Sequence, residues 1–498
     1  MEATRLMKRD IAALADRQFD VAIIGGGIVG AGVARDAAMR GLSVALVEQS
    51  DFAGGTSSRS TKLVHGGLRY LEHFAFRLVA ESCRERKILL EMAPHLVRPL
   101  SFLLPVYDGD TRSLSKIRTG VMLYDWLTPR HDAMPAHQTL SPSEAASAEP
   151  ALAGSGLQGA VRFHDCQMDD AKLCIETIAD AHRHGAVVAN YCRVTGFRRE
   201  WERLVSLQAV DQVSGDNIEV RAKLFVNATG PWVERIAKLA TQSDGAITLS
   251  PTKGVHLVIP RVNREHGIYF QSRNDRRMIF LLPWDDASLL GTTDTDFDRD
   301  PGAAHADKTD VEYLLNQMRL CAPDVSVRES DIITSFAGVR AIIRSDRRRP
   351  SSRSREARIV RHNTNLLSVA GGKYTTFRAI SEKAVDRACR ILGVRGTRCR
   401  TQETPLPQTR PPHAGERLAD SPDVFASDIT HSCQSEMPVT LSDLIRRRTR
   451  LALSQRGDES VARKVCDIMA SELGWNDSAK RQMLANYLSE WSASRASA

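Results

Sequence analysis

Short apolar runs and an alanine-rich stretch alternate near the start of the chain. Apolar runs at 19–24 and 42–47 predict two strands, and the stretch 29–39 between them predicts a helix. Three glycines, at 25–27, separate the first strand from this helix. A strand, a helix and a second strand in this order are typical of a doubly wound parallel sheet, so we expect an α/β domain here.

Similar patterns return much later in the chain. Apolar runs predict strands at 222–228 and 366–370, and apolar residues at helical spacing predict helices at 74–92 and 375–391. If these elements belong to the same domain as the first strands, long insertions interrupt that domain.

The segments between them have a different character. Three short β-rich runs separated by turns predict an antiparallel sheet; they lie at 255–259, 278–282 and 289–291. Residues 395–438 are rich in proline, serine, threonine and arginine and are predicted to form a linker. Residues 439–492 again have helical periodicity.

The composition is that of a soluble globular protein. Of 498 residues, 42% are hydrophobic and 26% are charged, which excludes a disordered chain, a collagen and a small disulfide scaffold. Lysine and arginine exceed aspartate and glutamate by 68 to 60, a net charge of +8. This mild excess is compatible with an anionic substrate, an anionic membrane surface or nucleic acid, and it favours none of them.

Cysteine usage and the N-terminal residues bear on location. Nine cysteines occur and none stands in a CxxC pair, so we expect reduced thiols in a cytosolic chain and no metal site. Charges interrupt residues 1–18, where a signal peptide would need an apolar segment. No uncharged apolar run approaches the roughly 18 residues needed to cross a bilayer. We therefore expect a protein that is cytosolic or lies on a membrane without crossing it.

The first glycine-rich turn, GGGIVG at 25–30, has the spacing of a dinucleotide-binding motif. Gly25 would allow the tight turn, Gly27 the approach of a pyrophosphate, and Gly30 the close packing of helix and strand. Glu48 ends the second predicted strand, where its carboxylate could accept hydrogen bonds from ribose hydroxyls. A purely structural glycine turn is the alternative, but the strand, the helix and the acidic residue together favour dinucleotide binding.

The late return of the strands indicates which dinucleotide is bound. In a nicotinamide enzyme the rest of the nucleotide fold normally follows at once, whereas this layout is typical of a flavoprotein that wraps FAD with distant segments. We therefore predict an α/β fold (α+β overall), with a Rossmann-like FAD-binding domain, an interleaved antiparallel β-sheet substrate domain and a C-terminal helical cap domain. The predicted boundaries are 18–93, 165–248 and 336–394 for the FAD-binding domain, 94–164 and 249–335 for the substrate domain, and 395–498 for the cap.

Residues 55–72 combine small hydroxylated side chains with a group of larger polar ones. The first part, rich in serine and threonine, is suited to hydrogen-bonding a cofactor at close range. His65, Arg69 and Tyr70 then follow around a Gly-Gly pair. A polar loop that caps the next helix is the alternative interpretation, and the pattern alone leaves it open.

At this point the chain resembles a known family, the FAD-dependent, aerobic glycerol-3-phosphate dehydrogenases. The resemblance covers about 18–492 in the expected order. Its motifs are TSSRSTKLVHGGLRYLE (56–72), FHDCQMDDAKL (163–173), FVNATGPWV (225–233), KGVHLVIPR (253–261), GTTDTDF (291–297), FAGVRAI (336–342), LLSVAGGKYTTFR (366–378), VTLSDLIRRRTRLAL (439–453) and MASELGW (469–475). Two positions depart from the family pattern, since Ala341 stands where a proline is common and Phe377 where a tyrosine is frequent. Neither change removes a charged group.

The resemblance implies a reaction and an acceptor. It implies oxidation of sn-glycerol 3-phosphate to dihydroxyacetone phosphate by hydride transfer from C2 to flavin N5, with electrons passed to a quinone. A glycerol-3-phosphate oxidase, which uses O2 and makes H2O2, is the nearest alternative. A flavin-dependent RNA-modifying protein is a distant one, because the chain has little nucleic-acid signature and no nucleic-acid partner is expected.

The resemblance also implies site residues. The substrate phosphate carries nearly two negative charges above its second pKa of about 6, and arginine matches phosphate oxygens with paired donors. A histidine is the usual base for the hydroxyl proton, and His256 and His65 both qualify. The expected catalytic residues are His256, His65, Arg340 and Lys373. The expected substrate-binding residues are Arg69, Tyr70, Lys253, Arg340, Arg355 and Thr376. The expected FAD-binding residues are Gly25, Gly27, Gly30, Glu48, Thr56, Ser57, Ser58, Ser60, Lys62, His65, Gly66, Gly67, Ala228, Thr229, Gly230, Gly371, Gly372, Lys373 and Thr375.

A basic amphipathic stretch bears on membrane contact. Leu114, Ile117, Val121 and Tyr124 repeat at helical spacing among basic residues, which is typical either of a helix in a membrane interface or of one packed on its own core. Arginine clusters at 347–358 and 446–450 are expected to be solvated, or to bind acidic neighbours or lipid headgroups. We expect a peripheral protein on the cytoplasmic face of the cell membrane; its oligomeric state is left open, with a homodimer as one option.

Overall fold

Two β-sheets and a C-terminal group of helices form the computed structural model, which describes residues 6–129, 134–242, 247–272, 274–322, 324–344, 356–362, 364–408, 411–455 and 457–496. The strands are β1 (Gln18–Ile24), β2 (Val44–Val47), β3 (Leu63–Val64), β4 (Val97–Tyr107), β5 (Gln138–Leu140), β6 (Leu157–Met168), β7 (Val187–Ala189), β8 (Cys192–Glu200), β9 (Arg203–Asp211), β10 (Asn217–Asn227), β11 (Thr252–Pro260), β12 (Gly267–Gln271), β13 (Met278–Trp284), β14 (Ala287–Gly291), β15 (Thr295–Asp296), β16 (Thr334–Arg340), β17 (Arg358–Arg361), β18 (Leu366–Ala370), β19 (Arg417–Asp420) and β20 (Asp423–Phe425). The α-helices are α1 (Ile11–Ala15), α2 (Ile28–Met39), α3 (Phe76–Met92), α4 (Leu114–Trp126), α5 (Pro142–Ala148), α6 (Asp170–Arg183), α7 (Val233–Thr241), α8 (Lys308–Cys321), α9 (Phe377–Leu392), α10 (Ala426–Ser435), α11 (Leu441–Asp443), α12 (Glu459–Leu473) and α13 (Asp477–Ala496).

The first sheet is built around the N-terminal strands. Its order is β17–β18–β10–β1–β2–β7, and β18, β10, β1, β2 and β7 run parallel. Helix α2 contacts α6 and α9 above β1 and β2, whose apolar side chains are fully buried. The predicted strands at 19–24, 42–47, 222–228 and 366–370 are confirmed, and so is the α/β fold class.

The second sheet is mostly antiparallel. Its order is β15–β11–β14–β13–β12–β4–β6–β3, with a parallel pair between β12 and β4. Strand β16 pairs with β11, placing Phe336 opposite His256 and Arg340 opposite Thr252. The segment 336–394, predicted to belong to the FAD-binding domain, thus begins with a strand of the second sheet, and the predicted domain boundaries stay a prediction. The reason is a ladder with β11, a pairing across about eighty residues that local pattern does not reveal.

The segment predicted as a linker, 395–438, is folded in its second half. It contains the hairpin β19–β20 and helix α10. Leu418, Val424 and Ile429 are buried in one cluster with Leu444 and Tyr487, so they pack against the C-terminal helices. Few apolar residues occur in this segment, and several of them are used in that core, which explains why composition alone suggests a linker.

The apolar face of helix α4 was predicted either to lie in a membrane interface or to pack on the protein core. Val121 and Tyr124 are fully buried in the protein core, whereas Met122 and Trp126 on the other side are 54% and 80% exposed. The helix therefore packs its predicted apolar face on the protein itself. No helix in the described ranges is long and apolar enough to cross a membrane.

The second arginine cluster joins the C-terminal helices to the first sheet. In the π-helical turn Leu444–Arg448, Arg447 Nε lies 2.5 Å and Arg448 Nη2 2.9 Å from the carboxylate of Asp51, which follows β2. Arg447 also binds Asp443 at 2.6 Å. These arginines are thus bound to buried acidic neighbours, which was one of the expected options. Most of the cluster at 347–358, including Arg355, lies outside the described residues.

Candidate functional site

A cavity of about 1270 Å³ lies between the two sheets and reaches the C-terminal helices. Its walls carry the glycine turn before α2, the loop after β2, the segments after β10 and β18, and parts of β11, β16 and α13. Of the predicted residues, those that line this cavity are Gly25, Gly27, Glu48, Thr56, Ser57, Ser58, Ser60, His65, Ala228, Thr229, Gly230, His256, Arg340, Gly371, Gly372, Lys373 and Thr375.

The glycine turn has the geometry that a bound pyrophosphate requires. Gly25 has φ +109°, and a Cβ at Gly30 would overlap the carbonyl oxygen of Gly25. At Gly27 the nearest atom to an added Cβ is Ser57 Oγ, 3.1 Å away, and this hydroxyl accepts the N–H of Ile28 at 2.9 Å. Backbone therefore faces the cavity at Gly27, while Gly30 serves the packing of α2, as their spacing predicts.

Glu48 ends β2 at the edge of the cavity. Its carboxylate accepts the backbone N–H of Gly26 at 2.7 Å and that of Ser50 at 2.9 Å. Burial raises the pKa of Glu48, and these two hydrogen bonds oppose the rise. The carboxylate is thus fixed beside the glycine turn, in the place where a ribose of the cofactor would be recognised, a role that stays a prediction.

His256 lies on β11 and is almost fully buried. Its Nε2 is 3.0 Å from Thr61 Oγ1, and its ring stacks on Phe336 with centroids 5.0 Å apart. Its buried Nδ1 has no hydrogen-bond partner within the described residues. Burial and the positive charges of Arg340 and Lys62 hold the pKa of His256 well below its usual range. The imidazole is therefore neutral near pH 7.

Arg340 ends β16, the strand next to His256. Its guanidinium lies 3.1 Å from Asp294 Oδ1 and donates to Thr292 Oγ1 at 3.0 Å. An added Cβ at Gly254 would overlap this guanidinium, so the glycine in KGVH makes room for the arginine. A neutral histidine and a guanidinium thus share one wall of the cavity.

Tyr70 contacts two cations beside the cavity. Lys373 Nζ is 5.2 Å and the Arg69 guanidinium carbon 5.3 Å from the centroid of its ring. Lys373 also donates to the carbonyl of His65 at 3.1 Å, so the GGKYTT and HGGLRY motifs meet. Arg69 lines a separate apolar pocket of about 250 Å³, and neither Arg69 nor Tyr70 lines the main cavity. Their expected contact with substrate remains a prediction.

Two lysines predicted in the site are bound elsewhere. Lys62 Nζ lies 2.5 Å from Asp170 Oδ1, and Lys253 Nζ lies 2.6 Å from both Asp307 and Asp310. Both side chains are buried, and neither lines the cavity. Lys62 is thus held by one carboxylate and Lys253 by two, and the predictions that Lys62 binds FAD and that Lys253 binds substrate stay predictions.

Three more predicted residues support the site without lining it. The N–H of Gly66 donates to the hydroxyl of Tyr124 at 2.7 Å, and Gly67, with φ +87°, packs against Tyr70. Thr376 begins α9 and points its hydroxyl back to the carbonyl of Lys373 at 3.3 Å. Packing or a turn thus fixes each of these residues, and the predicted contacts of Gly66 and Gly67 with FAD and of Thr376 with substrate stay predictions.

A buried network holds Gly66. Tyr124 donates to Asp165 Oδ1 at 2.8 Å, and Arg86 forms an ion pair with the same carboxylate. Asp165 comes from the FHDCQMDDAKL motif and Tyr124 from α4. Because Gly66 follows His65 directly, this network fixes the main chain next to a cavity-lining histidine.

Several residues of the cavity wall were not anticipated. Arg59 stands in the TSSRST loop, among hydroxylated side chains that by themselves predict hydrogen bonds to a cofactor. The C-terminal helices contribute further lining residues more than 380 positions after Arg59, namely Arg446, Asn486 and Glu490. No local signal points to such distant residues, and only the docking of these helices reveals them.

Comparisons with known proteins agree with this geometry. Residues 20–386 match the family model "FAD dependent oxidoreductase", and residues 363–480 match "C-terminal domain of alpha-glycerophosphate oxidase". The chain is 32% identical, over 540 aligned positions, to a glycerol-3-phosphate dehydrogenase of Synechocystis, covering 96% of this chain and 97% of the relative. It is 39% identical, over 396 positions, to an aerobic glycerol-3-phosphate dehydrogenase of Staphylococcus saprophyticus, covering 78% and 71%. The solved glycerol-3-phosphate dehydrogenase from Bacillus halodurans, complexed with FAD, superposes with a TM-score of 0.78 at 26% identity, covering 97% of each chain.

Proposed function

Because the chain belongs to the family of FAD-dependent glycerol-3-phosphate dehydrogenases, we propose that it oxidises sn-glycerol 3-phosphate at C2 to dihydroxyacetone phosphate. FAD, when bound, supplies the hydride acceptor for this reaction. The observation that carries the proposal is the pairing of a neutral His256 with the guanidinium of Arg340 on one cavity wall. Side chains of this protein bind the substrate phosphate and accept the hydroxyl proton in the proposed reaction.

Arg340 is the proposed phosphate anchor. Its side chain is mostly buried, and its guanidinium lies 3.1 Å from Asp294 Oδ1. A substrate phosphate brings nearly two negative charges, and a guanidinium can offer it two parallel N–H donors. Because the Arg340 side chain is mostly buried, the effective dielectric around it is lower than in bulk water, which strengthens such a pairing.

His256 is the proposed base for the C2 hydroxyl proton. It is neutral, so it can accept a proton without first losing one. Part of what lowers its pKa is the charge of Arg340, and a phosphate dianion beside Arg340 would offset that charge. Substrate binding would therefore make His256 more basic at the moment when a base is needed. His65, which lines the same cavity, is the second candidate.

A quinone is the proposed electron acceptor. The smaller pocket beside Arg69 is lined mainly by apolar side chains, among them Leu71, Ile117 and Leu123. An apolar pocket suits an oily acceptor, whereas O2 needs no dedicated pocket. The alternative, an oxidase that makes H2O2, predicts that air alone sustains turnover.

We also propose that the protein lies on the cytoplasmic face of the cell membrane. Met122 and Trp126 are exposed one turn apart on α4, and Phe74 and Phe76 are 79% and 40% exposed just before and at the start of α3. Both pairs flank one apolar core cluster, and exposed lysine and arginine side chains lie beside them at Arg77, Lys116 and Arg118. Exposed aromatic residues with basic neighbours favour an anionic lipid surface.

Steady-state turnover tests the proposal. Purified holoenzyme is given glycerol 3-phosphate with a soluble quinone under argon, and separately in air without quinone, while dihydroxyacetone phosphate and H2O2 are measured. The proposal predicts rapid turnover only with quinone. Equal turnover in air with stoichiometric H2O2 would make the protein an oxidase, and no dihydroxyacetone phosphate under either condition would reject the substrate. Glycerol, which lacks the phosphate, is the matched control.

A further inference from the structure

One wall of the cavity carries guanidinium groups that the proposed reaction does not use. Arg59 comes from the loop between β2 and β3, and Arg446 and Arg447 come from the π-helical turn of the C-terminal domain. Glu490 and Asn486, both on α13, complete this wall. The first sheet and the C-terminal helices thus meet at the cavity with a cationic surface.

The carboxylates nearby do not satisfy all of these arginines. Arg447 binds Asp51 and Asp443, and Arg448 binds Asp51 as well. Among the described residues, the carboxylate partner of Arg446 is Glu490, at a distance of 3.5 Å. Arg446, Arg447 and Arg448 thus use the three carboxylates named here, which are Asp51, Asp443 and Glu490. None of these three carboxylates pairs with Arg59.

Arg59 is the arginine without a carboxylate. Its guanidinium makes a hydrogen bond of 3.4 Å to the carbonyl of Ala337, and no carboxylate oxygen of the described residues lies within 4.0 Å of it. The Nε of Arg446 is buried and has no hydrogen-bond partner among the same residues. Glu490 compensates little, because its side chain is 54% exposed and also accepts the hydroxyl of Ser442.

The arginines repel one another across this wall. Burial and the positive charges of Arg447 and Arg446 lower the pKa of Arg59 to about 10, against a small opposing effect of Glu490. Burial also lowers the pKa of Arg446. An anion placed between the two guanidinium groups would relieve both effects, and a phosphate group offers the oxygens that arginine binds best.

We propose that Arg59 and Arg446 form a phosphate-group binding site where the C-terminal domain closes the cavity. This site is separate from the one proposed for the substrate, whose anchor is Arg340. The phosphate has two possible sources with the same chemistry, either the pyrophosphate of FAD or a free phosphate-bearing molecule that enters the loaded enzyme. In both cases the C-terminal domain contributes a ligand group and not only a structural cover.

Two measurements on holoenzyme distinguish the sources. Variants Arg59→Gln and Arg446→Gln keep a polar side chain and remove its charge. The control is Arg463→Gln, at an exposed arginine of α12 that pairs with Glu459. The first measurement is the rate of FAD release after dilution, followed by flavin fluorescence. The second is the rise in Tm that inorganic phosphate gives to the loaded protein, compared with chloride at equal ionic strength.

Each outcome decides the proposal. If the pyrophosphate occupies the site, both variants release FAD at least about tenfold faster than the control, while the response to phosphate is unchanged. If a free phosphate occupies it, FAD release stays within about twofold and the phosphate-dependent rise in Tm is lost. If both readouts equal those of the control in folded protein, the proposal is overturned. Arg59→Lys keeps a charge and serves as the second variant if Arg59→Gln does not fold. Neither readout involves glycerol 3-phosphate, so failure here leaves the proposed function untouched.

Discussion

His256 and Arg340 lie on adjacent antiparallel strands, and the positive charge of Arg340 helps to hold His256 in its neutral form. The base and the anchor of the proposed reaction are thus electrostatically coupled. Whatever neutralises Arg340 makes His256 more basic, so binding of the phosphate and acceptance of the proton support each other.

Removing the guanidinium of Arg340 should damage binding and catalysis together. In Arg340→Ala, loss of a buried charge-assisted contact costs roughly 2–4 kcal/mol, so kcat/KM for glycerol 3-phosphate should fall on the order of a hundredfold or more. Arg340→Lys keeps the charge but loses the paired donors, so its kcat/KM should lie between that of the unaltered protein and that of Arg340→Ala. FAD content, measured from the absorbance spectrum, serves as the control. An unchanged kcat/KM would contradict the assignment.

The pH dependence of kcat/KM should report the substrate more than the histidine. Because its pKa is lowered, His256 is already deprotonated at and somewhat below pH 6.5, and activity should not be lost through its protonation there. The acidic limb should instead follow the second pKa of the substrate phosphate, about 6. The same limb should persist, at a much lower rate, in His256→Gln. A limb near pH 6.5 or above that disappears in this variant would show a histidine of ordinary pKa.

Two helical glycines should respond to alanine in opposite ways. Gly30→Ala forces a Cβ into the carbonyl oxygen of Gly25 and should lower the free energy of unfolding by about 3 kcal/mol or more, with loss of FAD. Gly120→Ala on α4 meets nothing within 4 Å and should raise it by about 1 kcal/mol, through helix propensity. Urea unfolding measures both. Equal effects at the two positions would mean that α2 does not pack as described.

The network beneath Gly66 should be sensitive in a defined order. Asp165→Asn leaves Arg86 buried without a full counter-charge and should cost about 3–5 kcal/mol. Tyr124→Phe removes the nearer of the two acceptors of the Gly66 N–H, leaving Asp165 Oδ1 at 3.3 Å, and should cost about 1–3 kcal/mol. Thermal unfolding compares them. The reverse order would show that the ion pair contributes little.

Exposed apolar residues of α4 should control lipid binding. Replacing Met122 and Trp126 together by serine removes two exposed side chains and should weaken co-sedimentation with anionic vesicles by about tenfold or more, while turnover with a soluble quinone is kept. Trp201→Ser is the matched control, because Trp201 is 99% exposed at the tip of the β8–β9 turn, away from α4. Equal losses in both proteins would mean non-specific adhesion.

Local spacing predicted the parts of the fold and site that local chemistry determines. The glycine turn and Glu48 have the predicted positions because a βαβ unit leaves them little freedom. Local spacing also separates Lys253 from His256, since residues three apart on a strand face opposite sides. His256 faces the cavity, and Lys253 faces α8, where Asp310 binds it.

What the sequence did not reveal depends on distant contacts. Asp51 meets Arg448, 397 positions later, and no pattern near either residue announces the ion pair. The same holds for β16, whose place in the second sheet follows from its pairing with β11. The motifs therefore predict the cavity, whereas the lining residues from the C-terminal helices follow only from the packing of those helices.

The most direct test of the central claim is anaerobic addition of glycerol 3-phosphate to the purified, FAD-loaded protein, with the flavin absorbance near about 450 nm as the signal. The account predicts that the band bleaches within seconds, that one dihydroxyacetone phosphate forms per flavin, and that glycerol leaves the band unchanged. A band that dithionite bleaches but glycerol 3-phosphate does not would contradict the account.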